Sequence, residues 1–455
     1  MKYFQKISLI VLILISQNVF SQNLSKAVRL FELSKIWSEI TYNYPKLDRL
    51  NFDFDSLYLE TIKKIDTCDS DLQYYEILNE FICSLHDGHT FIIYPKIGLK
   101  KYIYQIYCTY THGKVYVTSN VANNAEILPV GTEIVSINNI PVLKYIDSVL
   151  YPKFPIRQGI KYQYLAEQML FYSETDSVLY LKTKSLDGTI NDIKLSSVDK
   201  FYEWNENYFS YPYFKSGLLE VIDDNILYVY FSDFTKPDQF DNFCKNEKLL
   251  EASNGLIIDL RHAGGGANYG YKIYKYFTKD TMCFDNTHLA RIHNSSKKAS
   301  GMLSNDQIKE FLGIEKSNNN YNHYEDWTTN KMLEKGIHVL PLKPASFTYD
   351  KPVIVLIDER TGSASEALVV ELKAFTNLIT VGTPSYGAAT LPLLVPLSNR
   401  AMFRVASQIV LNHDESEFEY LIPDVFLEPT IEQILNKNDT VLNYSILKIK
   451  ELSCN

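Results

Sequence analysis

The run Val353–Ile357 constrains this chain more than any other stretch. Five aliphatic residues, Val-Ile-Val-Leu-Ile, follow Lys351-Pro352 without a break and stop at Asp358. A strand with one wet face alternates apolar and polar residues. An unbroken run of this length predicts a strand buried on both faces, as in a parallel sheet. A polar turn follows over Asp358–Gly362. Apolar residues at Ala367, Leu368, Val370 and Leu372 then predict a helix over Ala364–Phe375, and Leu378–Val381 reads as the next strand. Ser363 stands at the join, at the C-terminal end of a strand and the N-terminal end of a helix. Helix N-termini carry unpaired N–H groups and favour negative charge. The tetrahedral intermediate of acyl transfer carries such a charge on its oxygen. The same residues also read as a capping box, Ser363-Ala-Ser-Glu366. This segment alone leaves both readings open.

A second strand–loop–helix unit precedes it. Gly255–Leu260 is again continuously apolar up to Asp259, and Arg261-His-Ala-Gly-Gly-Gly266 forms the loop. A helix is expected from Tyr269 to Phe277, and Ile226–Phe231 reads as a further strand. Three glycines after a strand allow backbone N–H groups to approach a ligand closely. No G-x-x-x-x-G-K-[ST] pattern is present, and Tyr269 stands where a dinucleotide fingerprint needs its third glycine. The remaining readings are a tight turn or an oxyanion donor beside the N–H of Ala364.

The rest of the chain falls into parts. Lys2 and Lys6 precede an apolar run over Ile7–Ile15, and Val19 and Ser21 suit a cleavage site. Residues 1–21 therefore read as a secretory signal peptide with Gln22 as the mature start. The apolar run is short for a membrane span. Asn23–Leu85 carries three helical patterns: Leu30, Leu33, Ile36, Trp37 and Ile40, then Leu57–Ile65, then Leu72–Leu85. Phe91–Tyr94 reads as a strand. Over Tyr102–Ser197 short alternating strands appear at Val115–Thr118, Glu133–Ile137, Ser177–Lys182 and Ile193–Leu195. A turn is expected at Asn138-Asn139 and a helix over Leu143–Leu150. Cys283–Pro344 is polar and weakly patterned and reads as an excursion or lid. Alternation resumes at Ala401–Leu411, and a final helix is expected near Ile431–Leu435. A net charge of −9 without a Lys/Arg cluster argues against nucleic acid and anionic membrane as partners. The six cysteines form no C-x-x-C and their pairing is not readable.

A serine nucleophile needs a base. His86-Asp87-Gly-His89 lacks the spacing and company of a metal site, and no H-E-x-x-H occurs. His89 therefore stands as a candidate general base, one of nine histidines. Asp414, Glu415, Glu417 and Glu419 read as a solvated acidic face, from which one carboxylate would serve to orient a histidine.

Three separated motifs, taken together, resemble one family. They are Leu85-His-Asp-Gly-His-Thr90, Ile258-Asp-Leu-Arg-His-Ala-Gly-Gly-Gly266, and Thr361-Gly-Ser-Ala-Ser-Glu366 with Val381-Gly-Thr-Pro-Ser-Tyr-Gly387. In order and spacing they are similar to the C-terminal-processing (tail-specific) protease superfamily. That superfamily includes the tricorn protease core and the interphotoreceptor retinoid-binding protein repeats. The resemblance covers nearly all of the mature chain. It implies an α/β core of the ClpP/crotonase-like kind over 201–455, an N-terminal helical segment over 22–95, and an inserted PDZ-like β-rich module over 96–200. It implies Ser363 as nucleophile. The tail-specific branch places an activating lysine just after the Tyr-Gly pair, where this chain has Ala388. The Ser–Lys dyad is therefore absent. The tricorn-like branch uses a histidine and a late glutamate, which match His89 and Glu417, the latter upstream of Pro423-Asp424. Ala364 and Gly264 or Gly265 would supply oxyanion N–H groups. The expected protein is an exported, periplasmic or secreted serine peptidase acting on peptides or proteins, without cofactor or metal. It would not be an integral membrane protein after signal cleavage. A non-catalytic binding protein on the same fold, and a serine hydrolase that is not a peptidase, are the alternatives. No G-x-S-x-G elbow surrounds Ser363, which weighs against the usual esterase fold.

Overall fold

The computed structural model describes residues 24–93, 102–120, 126–170, 172–173, 177–198, 217–232, 234–267, 269–279, 281–292, 333–341 and 343–453. The expected signal peptide and most of the expected excursion lie outside them.

A central sheet of six strands organises the second half of the chain. Its order is Leu219–Ile222, Ile226–Tyr230, Gly255–Asp259, Val353–Ile357, Leu378–Gly382 and Val425–Phe426. All neighbours are parallel except the first pair. The strand Val353–Ile357 and the helix Ala364–Phe375 have the bounds that the apolar pattern predicts. The unbroken aliphatic run has the expected cause. Val353, Val355 and Ile357 pack on one face with Leu368, Val369 and Leu372 of that helix. Ile354 and Leu356 pack on the other with Val441 and Ile449 of a helix over Thr440–Ser453. That last helix was not expected from the sequence.

Three helices, Lys26–Asn43, Phe54–Asp66 and Asp71–Cys83, match the three early patterns. Their apolar faces meet in one cluster with Phe403 and Val405, from far later in the chain. The strand Met402–Ala406 lies between Phe91–Ile93 and Pro392–Pro396 in a small antiparallel sheet. The early His86–Thr90 loop is tied to this small sheet: Ala406 N donates to Thr90 Oγ1 at 3.0 Å.

Residues 102–198 hold an antiparallel sheet whose main path runs Ile106–Thr111, Lys114–Asn120, Glu133–Ile137, Val178–Lys184 and Ile190–Ser196. Asn138 and Asn139 both take positive φ, 49° and 65°, as a tight hairpin turn requires. A helix over Lys161–Gln168 packs against the first strand of this sheet. The expected helix over Leu143–Leu150 is α-helical only over Val142–Tyr145 and continues as a π turn. The segment after Tyr269 is a short helix, Tyr271–Tyr274, because the chain turns again before Phe277. The two ends of the weakly patterned stretch are strands, Met282–Arg291 and Leu333–Pro341, paired with each other and, through the former, with Gln408–Leu411. Among the described residues no helix is long and apolar enough to cross a membrane.

Candidate active site

Gly255–Asp259 and Val353–Ile357 are parallel neighbours, so the loops that leave their C-terminal ends lie side by side. In sheets of this kind ligands bind at that edge. The two loops are stitched together. Asp358 accepts the N–H groups of His262, Arg360 and Thr361, each at 3.0 Å. Thr361 Oγ1 donates to Leu260 O at 2.9 Å, and Gly362 N and Ser365 Oγ donate to Ala263 O at 3.0 and 2.8 Å. Beneath them, buried Arg261 is gripped by Asp259 and Asp439. Burial alone would lower its pKa, but the two carboxylates outweigh burial and raise it.

Ser363 sits at φ 57°, ψ −121°. A residue other than glycine holds such a conformation only where its surroundings enforce it, and such residues cluster at functional sites. Glu366 is one enforcer. Its buried carboxylate accepts the N–H groups of Ser363 (3.0 Å), Gly387 (2.7 Å) and Ala388 (2.8 Å) and the hydroxyl of Ser385 (2.5 Å). Burial raises its pKa, and these four donors pull it back. The reach-back of the capping box is thus present, and it also ties the nucleophile turn to the Tyr386-Gly387 loop. Tyr386 is the second enforcer. Its ring fills the space that a side chain at Gly88 would need, and its Cβ lies 3.2 Å from where one at Gly362 would begin, so it touches both the histidine loop and the serine turn.

Gly265, at φ 87°, is pressed against the turn. A Cβ there would lie 2.6 Å from Gly362 O and from Ser363 Cβ, and 2.8 Å from Ala364 N. Gly264 has open space around it. Of the two glycines, Gly265 is therefore the one in contact with the Ser363–Ala364 backbone.

Ser363, His89, Gly264, Gly265 and Ala388 line a single cavity of about 670 Å³. The His89 backbone is held by Asp87, whose carboxylate accepts the main-chain N–H of His89 at 2.9 Å and the Thr90 hydroxyl at 3.0 Å. Only 6% of His89 is exposed, and its Nδ1 is buried without a hydrogen bond of normal geometry among the described residues. Burial pushes the imidazole down to about 4; Asp87 opposes this, Arg404 adds to it, and the Thr390 backbone opposes it weakly. A free imidazole titrates near about 6.5, whereas this surrounding keeps His89 neutral well below pH 7.

Glu417 is not in that cavity. It lines another, with His413 and Lys373. Its carboxylate is paired with Arg49, one oxygen at 2.6 Å from Nη2 and the other closer to Nη1. That ion pair lowers the Glu417 pKa. The structure therefore brings Ser363 and His89 together and holds Glu417 elsewhere. His262 also lines the serine cavity, with Nε2 3.3 Å from Asp358. His413 turns away, with Nε2 at 3.1 Å from Val370 O. Two contributors had no strong local signal: Tyr386, whose role depends on two distant glycines, and Arg404, on the strand opposite Phe91.

Residues 225–427 match the family model for peptidase family S41. The match spans somewhat less than half of the chain and supports a serine peptidase over that region. None of the curated proteins matches it. Among solved structures it is similar to mature CPAF at 16% identity and TM-score 0.69, covering 94% of this chain and 97% of that one. It is also similar to mature CPAF complexed with lactacystin, at 17% identity and TM-score 0.66, covering 94% and 98%. Likeness at such identity speaks for a shared fold.

Proposed function

We propose that this S41 peptidase cleaves peptide bonds with Ser363 as nucleophile and His89 as general base. The single observation that carries the reading is the cavity that the two residues share, beside a strained serine at a helix start. Ser363 Oγ attacks the carbonyl carbon while His89 takes the hydroxyl proton, then returns it to the leaving amine. The N–H groups of Ala364 and Gly265 face the developing oxyanion; Ser363 N is already bound by Glu366 and is not free for this role. A neutral His89 accepts a proton without first losing one. Glu417 enters as the orienting acid only by exchanging Arg49 for His89, whose Nδ1 has no hydrogen bond of normal geometry among the described residues. His262 is the second reading for the base, because it lines the same cavity and already pairs with a carboxylate.

A second cavity of about 650 Å³ is lined on one side by the strand Ile106–Thr111 and the helix Lys161–Gln168 and on the other by Asp358, Thr383 and Glu428 of the core, and His262 and Arg360 line both cavities. That strand is at the sheet's edge, so one side of its backbone lacks a strand partner among the described residues. An extended peptide added there would lead toward Ser363, consistent with a PDZ-like module. Export after removal of residues 1–21, and the division at 22–95, 96–200 and 201–455, belong to the same proposal.

Peptide turnover by wild type, Ser363→Ala, His89→Ala and His262→Ala tests it. Loss in the first two variants with activity kept in the third supports the assignment. Full activity in His89→Ala with loss in His262→Ala transfers the base to His262.

A further inference from the structure

The inner wall of the catalytic cavity carries a cation that nothing in the proposed chemistry uses. Arg404 lies in the middle strand of the small antiparallel sheet, opposite Phe91 on one side and Leu394 on the other. All three line the cavity with Ser363 and His89. The guanidinium stacks on the Phe91 ring, 4.6 Å from its centroid. Among the described residues its Nε is buried without a hydrogen-bond partner, and no carboxylate pairs with it. The other arginine of the cavity, Arg360, is different, because Glu167 neutralises it. Among the described residues no Asp or Glu lines this cavity at all.

A half-buried guanidinium without a counter-ion is costly, and such groups are kept where a ligand supplies the missing charge. Arginine's planar fork suits a carboxylate in two-point contact. Apolar side chains, Phe91, Ile93, Pro392 and Leu394, surround the charge. They would exclude water from such a contact and strengthen it.

We infer that Arg404 is a substrate-specificity residue that binds a carboxylate of the peptide near the scissile bond, flanked by apolar substrate side chains. The carboxylate belongs either to an Asp or Glu side chain or to the peptide's own C-terminus. The inference rests on reading this cavity as the peptidase site. The row of Phe91, Arg404 and Leu394 lies across three strands and so offers a flat strip to an extended chain. No proton is transferred to Arg404, which acts by charge and geometry alone.

Binding to the Ser363→Ala variant tests the inference apart from catalysis. Fluorescence anisotropy would be measured with a fluorescent peptide library split into three matched arms: acidic residues present, acidic residues replaced by Asn or Gln, and C-terminus amidated. The expected result is affinity at least about tenfold weaker in one of the two carboxylate-free arms, the size of one charge-assisted contact. The arm that weakens identifies the source. Adding Arg404→Gln to that protein should abolish the difference while neutral peptides bind as before, and Arg404→Lys should restore part of it. Equal affinity for all arms overturns the inference, as does an unchanged preference in the Arg404→Gln protein with a native circular dichroism spectrum. Labelling of wild-type Ser363 by a serine-directed probe separates these outcomes from failure of the peptidase reading itself.

Discussion

At the scale of single residues, the site is built from surroundings rather than from unusual side chains. Gly265 and Gly264 are neighbours with opposite tolerances. Gly265→Ala would force a methyl against Gly362 O, Ser363 Cβ and Ala364 N, and should cut kcat/KM at least about 10²-fold, the worth of one oxyanion donor. Gly264→Ala enters open space and should cost far less. Steady-state kinetics of the two variants checks this. The pH profile carries a second prediction. Burial sets His89 near 4, so the acid limb of kcat/KM should fall well below neutrality. Arg404 adds to that depression; Asp87 opposes it, and His262 and Arg360 line the same cavity. Arg404→Gln removes a positive charge and so raises the His89 pKa, moving the acid limb to higher pH. An acid limb near pH 7 in the wild type would contradict the buried-base account.

At the scale of elements, two parallel strands and their loops do most of the positioning, and this part was legible. The continuous runs at Gly255 and Val353 announce strands buried on both faces, and the helix after Ser363 follows from its apolar spacing. Local pattern was enough because each run spans one element. What was not legible is what depends on distance along the chain. Arg49 takes Glu417 across 368 positions, and no periodicity signals that. Arg404 reaches the cavity because its strand pairs with Phe91, and the strands Met282–Arg291 and Leu333–Pro341 pair across a polar stretch that hides them. The helix Thr440–Ser453 buries few residues, Val441, Ser445 and Ile449, and its apolar stripe is correspondingly faint. Glu366 belongs to this scale, since its four donors join two loops. Glu366→Gln would turn an amide N–H₂ toward some of them and should cost about 3 kcal/mol of stability, read as a lower urea midpoint. Arg49→Ala frees Glu417. If Glu417 orients His89, Glu417→Gln lowers turnover and Arg49→Ala does not; equal loss in both variants marks the pair as structural.

At the scale of the whole molecule, distant parts of the chain supply the base and the nucleophile, so folding and site assembly are one event. His89 links them thermodynamically. Its folded pKa of about 4 lies below the unfolded value of about 6.5, so the folded state binds the proton less well. The stability this contributes is present above pH 6.5 and is lost as pH falls through 4, about 3 kcal/mol in all. His89→Gln should therefore lose less stability than wild type between pH 6.5 and 4 in urea titrations. The central claim is that Ser363 is an activated nucleophile in a formed site. Reaction of the folded protein with a fluorophosphonate probe, followed by mass spectrometry of its peptides, tests it most directly. The account predicts one label per chain, on Ser363, and none in His89→Ala. A folded wild-type protein that stays unlabelled, or that is labelled on another residue, would contradict it.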